Sequence, residues 1–423
     1  MFPYTQEVRA VLAIVIFSGA IFLLHAYRVP LHELAATIQG ATQDLLASII
    51  RSPKTLPDLH NRFSLAQQGA GKVRVLLVPG HEPDYGGSEF GALKERDLAV
   101  TLSGYLSEYL TATKLYEVTV VRDKAAWNPL FASYFEREWN AIPAWRRENA
   151  QSLERLVAVG TLKEVKPVVV HNTARSDVAI RLHGINKWAN EQSIDIVIHV
   201  HFNDYPHANT SVAGKYSGFV LYVPESQYYN STTTRAVAAS ITKRFGAYSP
   251  TSNMPQESDG IVGSPDLIAI GSNNSADAAS MLIEYGYLYE PQFTNPAVRD
   301  SAVRDLAYQT YLGIQDFFNP KINNDPRGYG TVTLPYSWPV GTELAQLNAR
   351  DVFALQSALL KQGFYPPPYK TKNDCPRTGT FGPCTRESLS SFQAYYKIVG
   401  NKKTLDQKTV ELLESAPGQT TAR

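Results

Sequence analysis

The sequence predicts an α/β fold in which a mostly parallel twisted sheet carries helices on both faces. Along residues 73–319, short apolar runs rich in β-branched residues alternate with longer segments whose apolar residues have helical spacing. This alternation is typical of a sheet covered by helices. A Pro-, Gly- and Asn-rich stretch, 320–343, then precedes a small all-α unit, 344–415.

The order of the predicted elements also indicates where a site would lie. In open α/β sheets, sites collect at the carboxyl ends of the strands. The apolar runs predict strands at 73–78, 116–123, 194–204, 219–224 and 280–288, and helical spacing predicts helices at 96–110 and 178–193.

The N-terminal residues predict a transmembrane helix. No Asp, Glu, Lys or Arg interrupts residues 10–27, a length at the lower end of what crosses a bilayer core. No small-residue cleavage pattern closes the segment, so an uncleaved anchor is favoured over a removed signal peptide or a buried core helix. Residues 1–9 form a short tail, and residues 28–72 are expected to form a juxtamembrane helix and a linker.

Composition argues against two classes of protein. The net charge of +1 provides no electrostatic footprint for nucleic acid. The chain has only 2 cysteines, Cys375 and Cys384, which excludes a cysteine-rich zinc finger.

Three residues with metal-binding side chains fall near the ends of predicted elements. His81 follows the first strand, Glu95 opens the first helix, and His201 lies near the end of the 194–204 strand. Imidazole nitrogen and carboxylate oxygen both bind zinc, and three protein ligands leave a fourth position for water. Each of these residues alone is more often simply hydrogen-bonded, and the glycine-rich loop before Glu95 equally fits a flexible surface loop.

Glu284 stands within an otherwise apolar run, MLIEYGYL. A carboxylate there is costly unless it is paired or functional. Burial would raise its pKa and suit it to proton transfer near neutral pH. An ion pair with an arginine from a neighbouring element is an equal alternative.

Three stretches together resemble the signature blocks of zinc-dependent N-acetylmuramoyl-L-alanine amidases, which are cell-wall hydrolases. They are residues 75–98 (VLLVPGHEPDYGGSEFGALKERDL), 195–204 (DIVIHVHFND) and 281–288 (MLIEYGYL). The resemblance implies that residues 73–319 form a zinc amidase domain. It also implies that His81, Glu95 and His201 bind Zn²⁺ and that Glu284 serves catalysis.

The chain departs from the pattern of this family near two of the histidines. Glu82 and Pro83 replace the two glycines that commonly follow the first histidine. On the third-ligand strand, His199 lies two residues before His201 and shares its face, so either histidine would face the metal. Asn203 sets the register that favours His201, and His199 and Asn203 are expected just outside the ligand set.

Residues 124–165 are predicted to form an inserted helical cap. Its tryptophans, Trp127, Trp139 and Trp145, either line a glycan or peptide groove or serve only as packing residues.

The C-terminal unit has two amphipathic helices around the Gly-x-Phe-Gly turn at 379–382. It resembles the three-helix peptidoglycan-binding module, and a helical spacer without ligand is the alternative. Outside the cytoplasm, Cys375 and Cys384 are expected to form a disulfide that staples this unit, whereas they would stay reduced in the cytoplasm. Residues 416–423 form a polar tail.

These inferences combine into one functional hypothesis. The chain would be a single-pass, membrane-anchored zinc hydrolase on the extracytoplasmic side of the cytoplasmic membrane. It would cleave the amide between N-acetylmuramic acid and L-alanine, with peptidoglycan as both substrate and anchoring ligand and no nucleic-acid partner. The alternatives are a catalytically silent wall-binding or regulatory protein with the amidase fold and a zinc amidase acting on a different amide.

Overall fold

A six-stranded sheet is the centre of the computed structural model, which describes residues 53–204, 210–319, 336–399 and 403–415. The strands of this sheet are β1 (Val73–Pro79), β4 (Tyr116–Val120), β5 (Ile196–Asn203), β6 (Val220–Pro224), β7 (Ile261–Ser264) and β8 (Ala279–Tyr287), and a separate ribbon contains β2 (Glu89–Phe90) and β3 (Leu93–Lys94). Their order across the sheet is β4-β1-β5-β8-β6-β7.

The sheet is mostly parallel, as predicted. Strands β4, β1, β5 and β8 all run in the same direction. Strand β6 is antiparallel to β8, and β7 is parallel to β6. The predicted α/β class is therefore confirmed, with a reversal of direction between β8 and β6.

Helices cover both faces of the sheet because successive side chains on a buried strand point to opposite sides. On β1, Val75 and Leu77 join one apolar core, whereas Leu76 and Val78 join a second one. The helices are α1 (Leu56–Gln67), α2 (Glu95–Ala112), α3 (Pro129–Glu138), α4 (Ala141–Ala158), α5 (Ser176–Glu191), α6 (Ser231–Tyr248), α7 (Pro291–Thr294), α8 (Pro296–Phe318), α9 (Ala349–Lys361), α10 (Pro383–Tyr395) and α11 (Gln407–Ser415). The first core includes residues of α2, α6 and α8, and the second includes residues of α3 and α5.

Parallel pairing brings the carboxyl ends of three central strands to one edge of the sheet. Strand β1 ends at Pro79, β5 at Asn203 and β8 at Tyr287. Helix α2 begins close to this edge. The side chain of its first residue, Glu95, accepts a hydrogen bond from the Phe202 N–H of β5. His81, Glu95, His201 and Glu284 therefore all lie on or next to elements that meet at this edge of the sheet.

The insert at 124–165 contains α3 and α4, and its tryptophans are packed or half-buried. The ring of Trp127 meets Phe135 edge-on, with 5.1 Å between ring centroids. Trp127 and Trp139 both pack against the second core, and Trp145 is half-buried. For Trp127 and Trp139, the structure therefore supports the packing interpretation.

The interpretation of the segment before β1 as linker is wrong over Leu56–Gln67, which forms α1. Thr55 and Asp58 form a capping box at its N-terminus, which satisfies backbone N–H groups that the helix leaves unpaired. Phe63 stacks on Phe318, with ring centroids 4.5 Å apart. The prolines at 53 and 57 suggested an irregular segment, but a proline is readily accommodated in the first turn of a helix.

Several predicted segments lie outside the described residues. These are the N-terminal tail and the membrane anchor at 10–27, the juxtamembrane helix, most of the linker at 320–343 and the tail at 416–423. Among the residues that the structure does describe, no helix has the length and apolar character needed to cross a membrane.

The C-terminal unit has its own apolar core formed by α9, α10 and α11. Leu359 of α9, Phe392 of α10 and Leu413 of α11 meet in this core. A disulfide joins Cys375 to Cys384 across the segment between α9 and α10.

The C-terminal unit packs on α8 through a buried ion pair. Arg377 Nη2 lies 2.8 Å from Asp305 Oδ2, with only 7% and 4% of the two side chains exposed. The same guanidinium donates to Ser357 Oγ over 2.7 Å and to Tyr248 O over 3.2 Å. Phe353 packs beside it in a small cluster with residues of α8. This contact fixes the position of the small unit on the sheet domain.

Removing one partner of this ion pair should destabilise the protein. In Arg377→Met, the buried Asp305 carboxylate loses its cation, and the free energy of unfolding should fall by about 3–5 kcal/mol. Denaturant unfolding followed by circular dichroism measures the change. Arg137, whose side chain is 65% exposed beside Glu138, provides a control, since Arg137→Met should be nearly neutral. An Arg377→Met protein as stable as the parent would contradict the importance of this contact.

Candidate metal centre

The turn after β1 presents His81. The Gly80 N–H donates to Val200 O over 2.8 Å, which ties the turn to β5. His81 itself has a φ of 68°, in the left-handed region that few residues other than glycine adopt. A side chain held in this way against its backbone preference is characteristic of functional positions.

The buried guanidinium of Arg122 supports both this turn and the start of α2. Its Nε donates to Pro79 O over 3.2 Å, and its Nη2 donates to Gly80 O. Nη2 also donates to Arg96 O over 3.1 Å. Burial lowers the pKa of Arg122 to about 10, so it remains a cation at neutral pH. No local sequence pattern indicated this role, because an arginine after a strand usually lies on the surface.

Glu95, the first residue of α2, is the most buried member of the site, with 3% of its surface exposed. Its Oε2 accepts from the Ser88 N–H over 2.9 Å, and its Oε1 accepts from the Phe202 N–H over 3.2 Å. The same two oxygens face the two histidines: His81 Nε2 lies 2.9 Å from Oε2, and His201 Nδ1 lies 3.0 Å from Oε1.

His81, Glu95 and His201 together fit a tetrahedral metal ion. Each offers one ligand atom, and these atoms all lie within 4.8 Å of one another. Ligands about 2.1 Å from a zinc ion are about 3.4 Å apart in a tetrahedron. Although His81 Nε2 is close to Glu95, it forms no well-aligned hydrogen bond within the described part of the chain. A metal ion would satisfy that nitrogen.

The electrostatics also favour the ligand forms of these groups. Burial raises the pKa of Glu95, but the charge and hydrogen bonds of His81 and His201 outweigh it and hold the pKa well below its ordinary value. Burial lowers the pKa of His201. A carboxylate anion beside a neutral imidazole is the combination that binds a divalent metal.

Two glycines allow the ligands to approach. A Cβ on Gly80 would lie 2.4 Å from His201 Cε1. At Gly87, where φ is +81°, a Cβ would lie 2.7 Å from His81 Cδ2. Real Cβ atoms do not come this close to other atoms, so these glycines are required by the site and are not simply part of a flexible loop.

Glu284 lies next to the third ligand, since it pairs with His201 in the register between β5 and β8. Its Oε2 is buried and has no hydrogen-bond partner among the described residues. Within the same residues, no arginine or lysine forms an ion pair with it, which removes the support for the structural alternative. Burial, together with the charges of Glu95 and Glu257, raises the pKa of Glu284 well above its ordinary value.

The other two predicted neighbours occupy different places. His199 is fully buried and outside the three-residue group, and both of its ring nitrogens are unpaired within the described chain. Burial lowers its pKa to about 3, so it is neutral. Asn203 donates from Nδ2 to Glu257 Oε1 over 3.0 Å.

Glu257 was missed by the sequence analysis, although it organises the polar groups beside Glu284. It is almost fully buried and accepts from Tyr222 over 2.6 Å and from Tyr287 over 3.0 Å, besides Asn203. Its surroundings in the sequence, MPQESDG, have neither strand nor helix periodicity. No local pattern therefore distinguished it from a solvated loop carboxylate.

Glu82, one of the departures from the family pattern, is also buried. It forms an ion pair with Arg181 of α5 at 3.1 Å, and Arg181 also contacts Asp177 at 2.7 Å. Tyr85 donates to the same aspartate over 2.6 Å. Glu82, one of the two residues that stand in place of the usual glycines, therefore anchors the His81 loop to α5.

Comparison with protein families supports the resemblance. Residues 148–316 match the model of the family Amidase_3, described as N-acetylmuramoyl-L-alanine amidase. The match contains His201 and Glu284 and begins after His81 and Glu95. Comparison with curated proteins gave no match.

Three solved structures are similar to this chain at low identity. The CwlD amidase from Clostridioides difficile, in complex with the GerS lipoprotein, is 15% identical with a TM-score of 0.40 over 59% of this chain and 100% of that one. The amidase Ami1 from Mycobacterium smegmatis is 14% identical with a TM-score of 0.39, again over 59% and 100%. The amidase AmiC2 of Nostoc punctiforme is 14% identical with a TM-score of 0.35 over 58% and 97%.

Substitution of Gly80 should disturb metal binding from outside the ligand set. The added methyl group of Gly80→Ala would push the His201 imidazole aside, and affinity for Zn²⁺ should fall by roughly 10–100-fold. Isothermal titration with Zn²⁺ measures the change. Gly104→Ala in α2 is the matched control, because its Cβ meets nothing within 4 Å and should leave the affinity unchanged. Equal affinity of Gly80→Ala and the parent would show that this geometry is not needed.

Proposed function

We propose that this chain, which contains a domain of the N-acetylmuramoyl-L-alanine amidase family, is a zinc-dependent hydrolase of the amide between N-acetylmuramic acid and L-alanine in peptidoglycan. The convergence of His81, Glu95 and His201 within 4.8 Å carries the proposal. Glu284 lies on the adjacent strand, and its carboxylate oxygen Oε2 has no hydrogen-bond partner among the described residues. It supplies the proton-transfer group that hydrolysis of an amide also requires. The family match supports the choice of substrate.

In this proposal, His81, Glu95 and His201 hold the metal. A bound zinc ion would supply a Lewis acid that lowers the pKa of water and polarises the scissile carbonyl. The protein holds the two imidazoles from opposite sides of one carboxylate, and backbone N–H groups of Ser88 and Phe202 orient that carboxylate. These hydrogen bonds and contacts around Glu95 orient the three ligands before the metal binds.

Glu284 is the proposed general base and acid. Burial and the nearby carboxylates raise the pKa of Glu284 well above its ordinary value, which makes its carboxylate a better proton acceptor than that of a solvent-exposed glutamate. It would take a proton from the attacking water and then deliver it to the nitrogen of the leaving L-alanine. Glu257, fixed by Tyr222 and Tyr287, adds the nearby negative charge that helps to raise this pKa.

We further propose that residues 10–27 anchor the chain in the cytoplasmic membrane and that both folded parts lie on its extracytoplasmic side. The apolar run and the Cys375–Cys384 disulfide support this location. The C-terminal unit would hold the enzyme on the polymer and raise its effective concentration there.

The histidine assignment gives a test with a built-in control. His201→Ala should lose stoichiometric zinc, because three ligands leave little redundancy, and release of soluble wall fragments should stop. His199→Ala, two residues earlier on the same face, should keep its zinc. Metal analysis by inductively coupled plasma mass spectrometry measures both variants. Zinc retained by His201→Ala and lost by His199→Ala would reverse the assignment.

Substitution of Glu284 separates a catalytic role from a structural one. Glu284→Gln keeps the shape and should keep zinc and melting temperature, while turnover falls by about 10²–10⁴-fold because proton transfer is lost. The loss should appear mainly in kcat, since the proton moves as the transition state forms. Zinc content, melting temperature and rate of wall-fragment release are measured on one preparation. A stable, zinc-loaded variant with near-normal turnover would rule out the catalytic role.

A further inference from the structure

A cleft of about 840 Å³ lies between α8 of the amidase domain and the C-terminal unit. This volume is in the range of small-molecule and oligomer sites. One wall comes from α2 and α8, and the other comes from α9 and the segment that precedes it. The metal ligands and Glu284 are not among its lining residues, so it is separate from the candidate metal centre.

Half-buried tyrosines line both walls of this cleft. Tyr109 and Tyr308 stand on the amidase wall with ring centroids 5.1 Å apart, and Tyr336 stands on the opposite wall. A half-exposed tyrosine offers an apolar ring face and a polar hydroxyl in the same place. A pyranose ring has the matching character, since its C–H face stacks on an aromatic ring while its hydroxyl and acetamido groups accept and donate hydrogen bonds.

Cationic side chains also line the cleft. The guanidinium of Arg350 lies 5.8 Å from the centroid of Tyr336, and Arg304 lines the opposite wall, where its guanidinium lies 3.9 Å from the centroid of Tyr105, a ring outside the lining. Lys361 adds an ammonium group to the cleft, and Asp300 and Glu414 also line it. A guanidinium binds carboxylates in a planar, two-point manner. The mixed lining therefore fits a saccharide that carries occasional carboxylates better than a wholly apolar ligand.

The two walls are held at a fixed separation. The Arg377–Asp305 ion pair and the packing of Phe353 against α8 join the two parts directly below the cleft. Gly379 permits this approach, because a Cβ there would lie 2.4 Å from Val298 and 2.6 Å from Ala349 O. A cleft with pre-positioned walls loses less entropy on binding than one formed by a mobile tether.

We propose that this cleft binds the glycan strand of peptidoglycan, a polymer of N-acetylated amino sugars whose muramic acid residues carry lactyl carboxylates. This inference rests on the proposed function and extends it. The amidase domain and the C-terminal unit would share one length of glycan, with tyrosines stacking on sugar rings and arginines pairing with carboxylates.

The test measures binding to wall in a background that does not digest it. Full-length Glu284→Gln protein is the parent, and sedimentation with purified wall gives its affinity. Adding Tyr308→Ala or Arg350→Gln should weaken binding by roughly threefold to tenfold, the order of one aromatic or charged contact. Tyr229→Ala is the control, because Tyr229 is 43% exposed and lies outside the cleft.

Competition identifies the part of the polymer that is bound. Soluble glycan strands freed of stem peptides should displace the parent protein from wall, and free stem peptides should not. Competition by stem peptides alone would overturn the assignment to glycan. Melting temperatures guard against misfolding of Tyr308→Ala, and Arg350 is exposed, so Arg350→Gln keeps the test informative.

Equal sedimentation of both cleft variants and the parent would overturn the proposal. Wild-type protein is assayed in parallel for release of wall fragments. If the wild-type protein releases wall fragments but the cleft variants bind wall as tightly as the parent, only the proposal of a glycan-binding cleft is refuted. If the wild-type protein releases no fragments, the proposed hydrolysis is refuted.

Discussion

The burial of the Glu95 carboxylate between two imidazoles is the interaction on which the rest of the site depends. Moving a carboxylate out of water is costly unless its oxygens are satisfied. Here the compensating groups come from three segments: the turn after β1 supplies His81, the glycine-rich loop supplies the Ser88 N–H, and β5 supplies His201 and the Phe202 N–H. The site forms only when all three segments meet at the start of α2, so its assembly is coupled to the parallel pairing of β1 with β5.

Outside this centre, charged groups at the same edge of the sheet act as supports. Arg122 holds the backbone of the β1 turn and the first turn of α2, and Arg181 holds the loop through Glu82. Beside Glu284, Glu257 accepts hydrogen bonds from the hydroxyls of Tyr222 and Tyr287 and from the amide of Asn203. Among the described residues, Glu284 Oε2 has no hydrogen-bond partner, so this oxygen is free to accept a proton.

The features that could be predicted from the sequence depend on local patterns, whereas those that could not depend on contacts between residues distant in sequence. Strand alternation and turn chemistry are local, so the sheet class and the placement of His81, Glu95 and His201 near strand and helix ends were accessible from sequence. The position of Asn203 in the sequence favoured His201 over His199, and in the structure His201 Nδ1 lies 3.0 Å from Glu95 Oε1. Arg122 and Glu257 act through contacts distant in sequence, and no local pattern revealed them. The prolines at 53 and 57 favoured a linker over helix α1, although the Thr-x-x-Asp pattern at 55–58 is a capping-box signal that the sequence contains.

Identification of the bond cleaved in purified wall decides whether this site hydrolyses the amide between N-acetylmuramic acid and L-alanine with a metal. The zinc-loaded wild-type protein is incubated with wall, and the products are analysed by mass spectrometry with and without a chelator. We expect stem peptides with a free L-alanine amino terminus, glycan strands with free lactyl carboxyls, and loss of both products when the metal is removed. Cleavage only at glycosidic or peptide cross-link bonds, or undiminished cleavage after metal removal, would contradict this expectation.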